Sequence, residues 1–201
     1  MHWNMACLAS AMVSLVGLYA SEKKAQDLLR DALEGFSITY AQKWQDLFRK
    51  KLGFATEDAD DIVLIEQLLQ AMHDSRVDFT NLFRSLGEIK IDTSIDEISL
   101  RHNFIDRAVI DQWFFNYIAR LRKECSNDSV RKTLMHQVNP KYVLRNHLAQ
   151  NAIELAQKKD YSEVIKLLDI LGKPFDEQPE NESYALSPSS ELQVVEVSCS
   201  S

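Results

Sequence analysis

The stretch from residue 139 to residue 179 constrains the fold more than any other, because it carries start and stop signals for two consecutive helices. Asn139 is a preferred N-cap residue, and Pro140 fits the first helical position, where the missing N–H costs nothing. Asp160 is predicted to begin the second helix, and Gly172 to end it in the left-handed conformation. The apolar residues at helical spacing, which we expect to be buried, are Leu144, Leu148, Ala152, Leu155 and Ala156 in the first helix and Val164, Ile165, Leu167, Leu168 and Leu171 in the second. This pattern predicts a pair of helices whose apolar faces pack together.

Turn-forming residues are scarce, since the 201 residues include five glycines and four prolines. Sheets need more turns than this composition offers, so we predict an all-α protein, a multi-helix bundle with an extended C-terminal tail. The net charge of −7 argues against general affinity for nucleic acid. We assign residues 1–179 to the helical domain. Residues 180–201, which are rich in Ser, Glu and Pro and end in Cys-Ser-Ser, are predicted to form a flexible tail.

The first sixty residues predict long helices. Residues 5–20 form an apolar run, and we expect a buried helix rather than a signal peptide because no Lys or Arg precedes it. The run is also too short for a membrane span. Residues 21–52 predict either one long helix or a kinked pair with its joint at Gly35, because glycine weakens a helix interior. Thr56 is expected to cap the next helix.

A short helix is predicted over residues 78–86, with Asp78 as its N-cap and Gly87 as its stop. Asp78 and Arg84 allow two interpretations. They are either a functional pair, or an N-cap and a solvated or ion-paired arginine, and we favour the second.

Residues 88–104 lack a sustained period and predict a loop with a short helix, whereas residues 105–123 predict a helix. Trp113 and Tyr117 lie on its aromatic face, and we expect them to anchor the core. A basic stretch follows, which we interpret as a solvated helix face in preference to phosphate contacts or docking of the acidic tail. Its members are Arg120, Arg122, Lys123, Arg131, Lys132, Lys141 and Arg145.

Several segments, in the same order along the chain, resemble the C-terminal part of the selenoprotein O (SelO) family. They are residues 2–5 and 7–9, residues 78–86, residues 139–146 and 148–150, residues 174–179, and residues 198–201. Members of that family are kinase-like proteins that transfer AMP from ATP to hydroxyl groups of proteins. The resemblance implies the C-terminal helical part of a kinase-like (pseudokinase) fold, protein substrates, and use of ATP and Mg²⁺ by the full-length protein. A cytoplasmic location is expected because the cysteines do not form a disulfide framework.

The resemblance also implies that a kinase-like region precedes this part of the family's chain, so we expect the present chain to be a C-terminal fragment that is inactive alone. Phosphoryl or nucleotidyl transfer needs a phosphate cradle, a lysine and acidic Mg²⁺ ligands. The five glycines are isolated from one another, and the histidines (His2, His73, His102, His136 and His147) show no ligand spacing. We therefore assign no catalytic, cofactor-binding or metal-binding residue.

Cys199 is the one candidate for a redox role. In the SelO family this position carries selenocysteine in some members and cysteine in others, so the resemblance implies redox chemistry here; a merely exposed thiol is the alternative. The three cysteines, Cys7, Cys125 and Cys199, are widely spaced and odd in number, which favours reduced thiols over a disulfide framework.

Three functions stay open on the sequence. The chain is either part of an adenylyltransferase or a non-catalytic helical scaffold, and regulation through the Cys199 thiol is a third possibility. We expect no nucleic-acid or membrane partner. We expect the chain to self-associate, because the apolar surface against which the missing kinase-like region would pack is left exposed.

Overall fold

The computed structural model describes residues 2–188, with side chains described from residue 3 onward. Within this range there is no β-strand, so the all-α prediction is confirmed. None of the helices in this range is both long and apolar enough to cross a membrane. The described residues form eight α-helices: α1 (His2–Gly17), α2 (Glu22–Leu52), α3 (Asp61–Ser75), α4 (Phe79–Leu86), α5 (Arg107–Lys123), α6 (Asp128–Val138), α7 (Asn146–Gln157) and α8 (Ser162–Leu171).

Three 3-10 helices complete the fold, at Ile95–Glu97, Ser99–Asn103 and Pro179–Tyr184. The first two lie in the 88–104 segment, which was predicted to be a loop with a short helix. The third lies in the segment that follows α8, and its last residues fall within the predicted tail.

The chain divides into two compact units, with the boundary between Phe48 and Arg49 inside α2. The first unit contains α1, and none of the side chains described in α1 is buried; Trp3 is 75% exposed. The prediction that this run is buried is therefore wrong for the described chain. The apolar residues of α1 lie on all sides of the helix. Burying them would require other elements packed around its whole circumference.

Helix α2 continues without a break through Gly35, so the single long helix is the correct one of the two alternatives. Gly35 destabilises the helix by only about 1 kcal/mol relative to alanine, and the other thirty residues of α2 keep the helix continuous. The backbone N–H of Lys24 donates to the Ser21 hydroxyl oxygen at 3.4 Å, next to the first residue of the helix.

The core of the second unit is built where α5 packs against α3. Trp113 and Tyr117 stack with their ring centroids 5.0 Å apart, and both are buried. The Trp113 indole N–H donates to the carbonyl of Leu64 at 2.8 Å, and the Tyr117 hydroxyl donates to the carbonyl of Leu52 at 2.9 Å. The prediction that these two aromatic residues anchor the core is confirmed.

Thr56 does not cap the helix that follows it. Helix α3 begins at Asp61, and the Thr56 hydroxyl instead donates to Glu124 at 2.9 Å. Arg120 joins this cluster, since its guanidinium donates to Asp61 at 2.7 Å, to Glu124 at 2.9 Å and to the Thr56 carbonyl at 2.8 Å. Burial opposes the charged form of Glu124, but hydrogen bonds from Ala55, Thr56 and Arg120 outweigh it and lower its pKa.

Helices α7 and α8 pack against each other as predicted, but α7 begins at Asn146 and not near Asn139. Asn139 is the C-cap residue that follows α6, and it is buried. The amide of Asn139 donates to the Lys51 carbonyl at 2.9 Å, and its oxygen accepts from the Lys51 ammonium at 3.2 Å. A side chain committed to these distant partners does not cap a local helix, so the predicted N-cap was wrong.

The C-terminal ends of α7 and α8 also differ from the prediction. Gly172 follows α8 in a right-handed conformation, with φ −67°. The left-handed residue is Lys159, with φ +67°, in the turn that follows α7. Gly172 thus ends α8 without the expected left-handed cap.

The face that α8 buries is rotated relative to the predicted stripe. Leu167 and Ile170 are buried. Three members of the predicted stripe are instead exposed: Val164, Ile165 and Leu168, the last by 71%. The reason is that α8 carries apolar residues on two sides, so the period alone does not say which side meets α7.

Candidate functional site

Three of the segments that carry the family resemblance meet in space along α4. Helix α4 is strongly amphipathic: Leu82, Phe83 and Leu86 are buried in the core. Asp78 just before it, Asn81 and Arg84 recur every three residues and form a polar stripe. This stripe contacts residues 139–145 and residues 174–187, and we call the three together the motif junction. Residues 174–187 are called the strap.

One end of the junction is centred on Asp78. Its carboxylate accepts from the backbone N–H of Asn81 at 2.8 Å, so the predicted N-cap is confirmed. The same carboxylate pairs with the Arg145 guanidinium and accepts from the Ser187 hydroxyl at 3.0 Å. Burial raises the pKa of Asp78, but the hydrogen bonds from Arg145 and Asn81 outweigh it, and the net shift is downward. Arg145 also donates to the Ala185 carbonyl at 3.2 Å, which holds the end of the strap.

The other end is centred on Arg84. Its guanidinium donates to the carbonyls of His136 at 2.9 Å, Asn139 at 3.0 Å and Phe175 at 3.1 Å, and to the Glu177 carboxylate at 2.6 Å. One side chain thereby ties the end of α6 to the start of the strap.

Lys141 reinforces the attachment of the strap. Its ammonium donates to Glu177 at 2.6 Å and also pairs with Glu182. Hydrogen bonds from Lys141 and Arg84 lower the pKa of Glu177 to about 2.

Backbone contacts and one buried ring fix the strap against the loop before α7. The backbone N–H groups of Lys141 and Tyr142 both donate to the Pro174 carbonyl, at 2.8 Å and 3.1 Å. Tyr142 is buried, its hydroxyl donates to the Gln178 carbonyl at 2.9 Å, and its ring packs against Ala185.

The basic stretch is only in part the solvated helix face that we predicted: Arg122, Lys123 and Lys132 are exposed, and other members are not. Arg120 and Arg131 are buried, and their side chains are held by Asp61 and Asp128 respectively. Docking of the acidic segment, one of the alternatives, is the geometry found at Lys141. Other members also have partners: Lys123 pairs with Asp58, Lys132 with Glu88, Arg145 with Asp78, and Arg122 donates to the Ile91 carbonyl.

Asp78 and Arg84 do not pair with each other, so the favoured reading of a cap and an ion-paired arginine is confirmed. The sequence did not indicate that residues 78–84, 139–145 and 174–187 come together, because their contacting residues lie from 32 positions apart (Tyr142 and Pro174) to 109 positions apart (Asp78 and Ser187). The available signal was that all three lie in segments resembling one family.

Charged hydrogen bonds within the chain hold the junction together. Three of its carboxylates, on Asp78, Glu177 and Glu182, are bound by a guanidinium or an ammonium group. Among the described residues no group of three His, Cys, Asp or Glu side chains is arranged to hold a metal ion. Cys199, the redox candidate, lies outside the described residues.

Comparison with known proteins places the chain in a family. The model of the family described as protein adenylyltransferase SelO matches residues 1–171. Proteins named protein nucleotidyltransferase YdiU are similar over nearly the whole chain: that of Herminiimonas arsenicoxydans is 47% identical over 99% of the chain, that of Burkholderia multivorans 44% over 100%, and that of Stutzerimonas stutzeri 43% over 100%. The chain spans only 38–40% of the length of these relatives. The chain therefore belongs to the SelO family.

Proposed function

We propose that this chain is the helical C-terminal part of a protein nucleotidyltransferase that transfers AMP from ATP to Ser, Thr or Tyr hydroxyl groups of other proteins. The observation that carries the proposal is the family match over residues 1–171, together with relatives of that name aligned along the whole chain. The motif junction supports it, because it is assembled from segments that resemble the family. The proposed location is the cytoplasm.

We infer that the described residues of this chain do not bind ATP or Mg²⁺ themselves. Nucleotidyl transfer needs backbone N–H groups around the phosphates, a lysine on them and free acidic ligands for the metal. Glycines are isolated in the sequence, and the carboxylates of Asp78, Glu177 and Glu182 are paired with cations of the same chain. We derive no catalytic step through these groups. In the proposal, ATP, Mg²⁺ and protein substrates belong to the whole enzyme, and this chain supplies structural support.

A redox role for Cys199 is the second part of the proposal. The Cys199 thiolate can attack glutathione disulfide: a mixed disulfide forms, the original S–S bond breaks and one glutathione leaves as a thiolate. The rate depends on the thiolate fraction of Cys199 and on access. Cys7 and Cys125 are exposed free thiols. Replacing Cys199 by Ser should abolish the dependence of enzyme activity on glutathione disulfide; unchanged dependence would remove this role.

A chimera tests the proposal directly. The matching 38% of the Herminiimonas relative is replaced by this chain, and transfer of radiolabelled AMP to protein is measured. Transfer by the chimera, with none by this chain alone, is expected. Trp113→Ala in the chimera is the matched control: loss of its buried ring should abolish transfer by unfolding the helical part. A folded chimera that transfers no AMP would contradict the proposal.

A non-catalytic scaffold that self-associates is the alternative function. It is favoured by the exposed apolar residues of α8, namely Val164, Ile165 and Leu168. Sedimentation velocity distinguishes the two: a stable oligomer that the triple replacement of these residues by Ser dissociates would support the scaffold, and a monomer would not.

A further inference from the structure

We propose that the strap is a latch, which opens from α4 as one unit while the core around α3 and α5 stays folded. Arg84 fastens the start of the strap, and Asp78 and Arg145 fasten its end.

The strap follows the polar stripe of α4 from one end to the other. Its beginning is fixed at the C-terminal end of α4, where Arg84 contacts Phe175 and Glu177. Its end is fixed at the N-terminal end of α4, where Asp78 contacts Ser187. The strap therefore runs antiparallel to the helix, with a polar attachment at each end.

Most attachments of the strap involve a charged side chain, and the cations and anions differ in their exposure to solvent. The cations on the body are well packed, since the side chains of Arg84 and Arg145 are 11% and 10% exposed. The anions on the strap, by contrast, are open to solvent: Glu177 is 58% exposed and Glu182 57%. The strap can thus detach without moving the cations.

Apolar burial holds the strap only weakly. In the cluster around Tyr142 and Ile170, the strap contributes buried Ala185 and partly buried Tyr184. The core, by contrast, buries large residues of α5 such as Trp113. Segments with few buried apolar contacts open at lower free energy than the core, so the strap is expected to open first.

Hydrogen–deuterium exchange of the 201-residue chain tests the latch. Arg84→Gln removes the charge and most of the donors, and the exchange of the strap's amides should accelerate by about tenfold or more, with the amides of α3 and α5 unchanged. Arg101→Gln is the matched control, because Arg101 is similarly packed and also pairs with two carboxylates, Asp96 and Asp111, away from the strap.

A strap that exchanges at the wild-type rate in Arg84→Gln would overturn the latch, and so would equal acceleration in α5, which indicates global unfolding. If Arg84→Gln does not fold, Glu177→Gln replaces it, since this half-exposed carboxylate is not part of the core. Faster exchange confined to the strap would then support the latch, and unchanged exchange would overturn it. The AMP-transfer assay is a separate readout, so an inactive chimera contradicts the proposed function and leaves the exchange result standing.

Discussion

Replacing Arg120 by Met should destabilise the second unit strongly. Arg120 is 8% exposed, and its guanidinium is bound by Asp61, by Glu124 and by the Thr56 carbonyl. The substitution keeps most of the side-chain volume but leaves two carboxylates without their cation. Asp61 is 4% exposed, so its charge cannot be solvated without local opening.

The size of the effect follows from this burial. Removing one partner of a buried ion pair costs about 3–5 kcal/mol, because the remaining charge is uncompensated. For a protein of this size about 1 kcal/mol corresponds to about 2–4 °C, so the melting temperature should fall by about 6–20 °C. Adding Asp61→Leu should recover part of the loss, because the double variant no longer buries that carboxylate unpaired.

Urea unfolding followed by tryptophan fluorescence measures the change in the free energy of unfolding. Arg122→Met is the matched control on the same helix: Arg122 is exposed, it donates to the Ile91 carbonyl, and its loss should cost about 1 kcal/mol or less. A cost below about 1 kcal/mol for Arg120→Met, or a double variant as unstable as the sum of the single ones, would refute the reasoning.

Asp78→Ala should lower the free energy of unfolding by about 2–4 kcal/mol, because it removes an N-cap and leaves Arg145 without its carboxylate partner. The control Asp106→Ala removes only an N-cap and should cost about 1 kcal/mol in the same urea titration. Equal costs for the two variants would contradict the role of the ion pair. Acid should detach the strap: the pKa of Glu177 is lowered to about 2 from 4.5, so its stabilising contribution is complete above pH 4.5 and is lost as the pH falls toward 2. Amide NMR shifts of the strap should follow this titration, and in Glu177→Gln they should not. Cys199→Ser should leave the unfolding free energy within about 0.5 kcal/mol of wild type, and a larger change would indicate that the thiol is packed.

The sequence predicted the elements whose signal is local. Asp78 caps α4 because its carboxylate reaches an N–H one turn ahead, and this needs no information from elsewhere in the chain. The aromatic face of α5 was equally predictable, because Trp113 and Tyr117 lie four residues apart on one side of a helix.

The errors arose where a distant partner competes with a local signal. Asn139 is a good N-cap by type, but its amide contacts Lys51, 88 residues away. Thr56 likewise contacts Glu124, 68 residues away. Neither pairing leaves a periodic trace in the sequence.

The motif junction could not be derived from periodicity for the same reason. Arg84 lies 93 residues from Glu177, and Arg145 lies 67 residues from Asp78, so charge alone gave no reason to pair them. The exposed stripe of α8 shows a second limit. A helix with two apolar sides does not specify in its own sequence which side is covered.

Calorimetric titration of the 201-residue chain with Mg·ATP tests the central claim most directly. The claim is that these helices support a nucleotide-transferring enzyme without holding its nucleotide. We predict no binding heat at nucleotide concentrations up to the millimolar range. A saturable site of micromolar affinity would contradict the account, because it would mean that the chain carries its own triphosphate pocket.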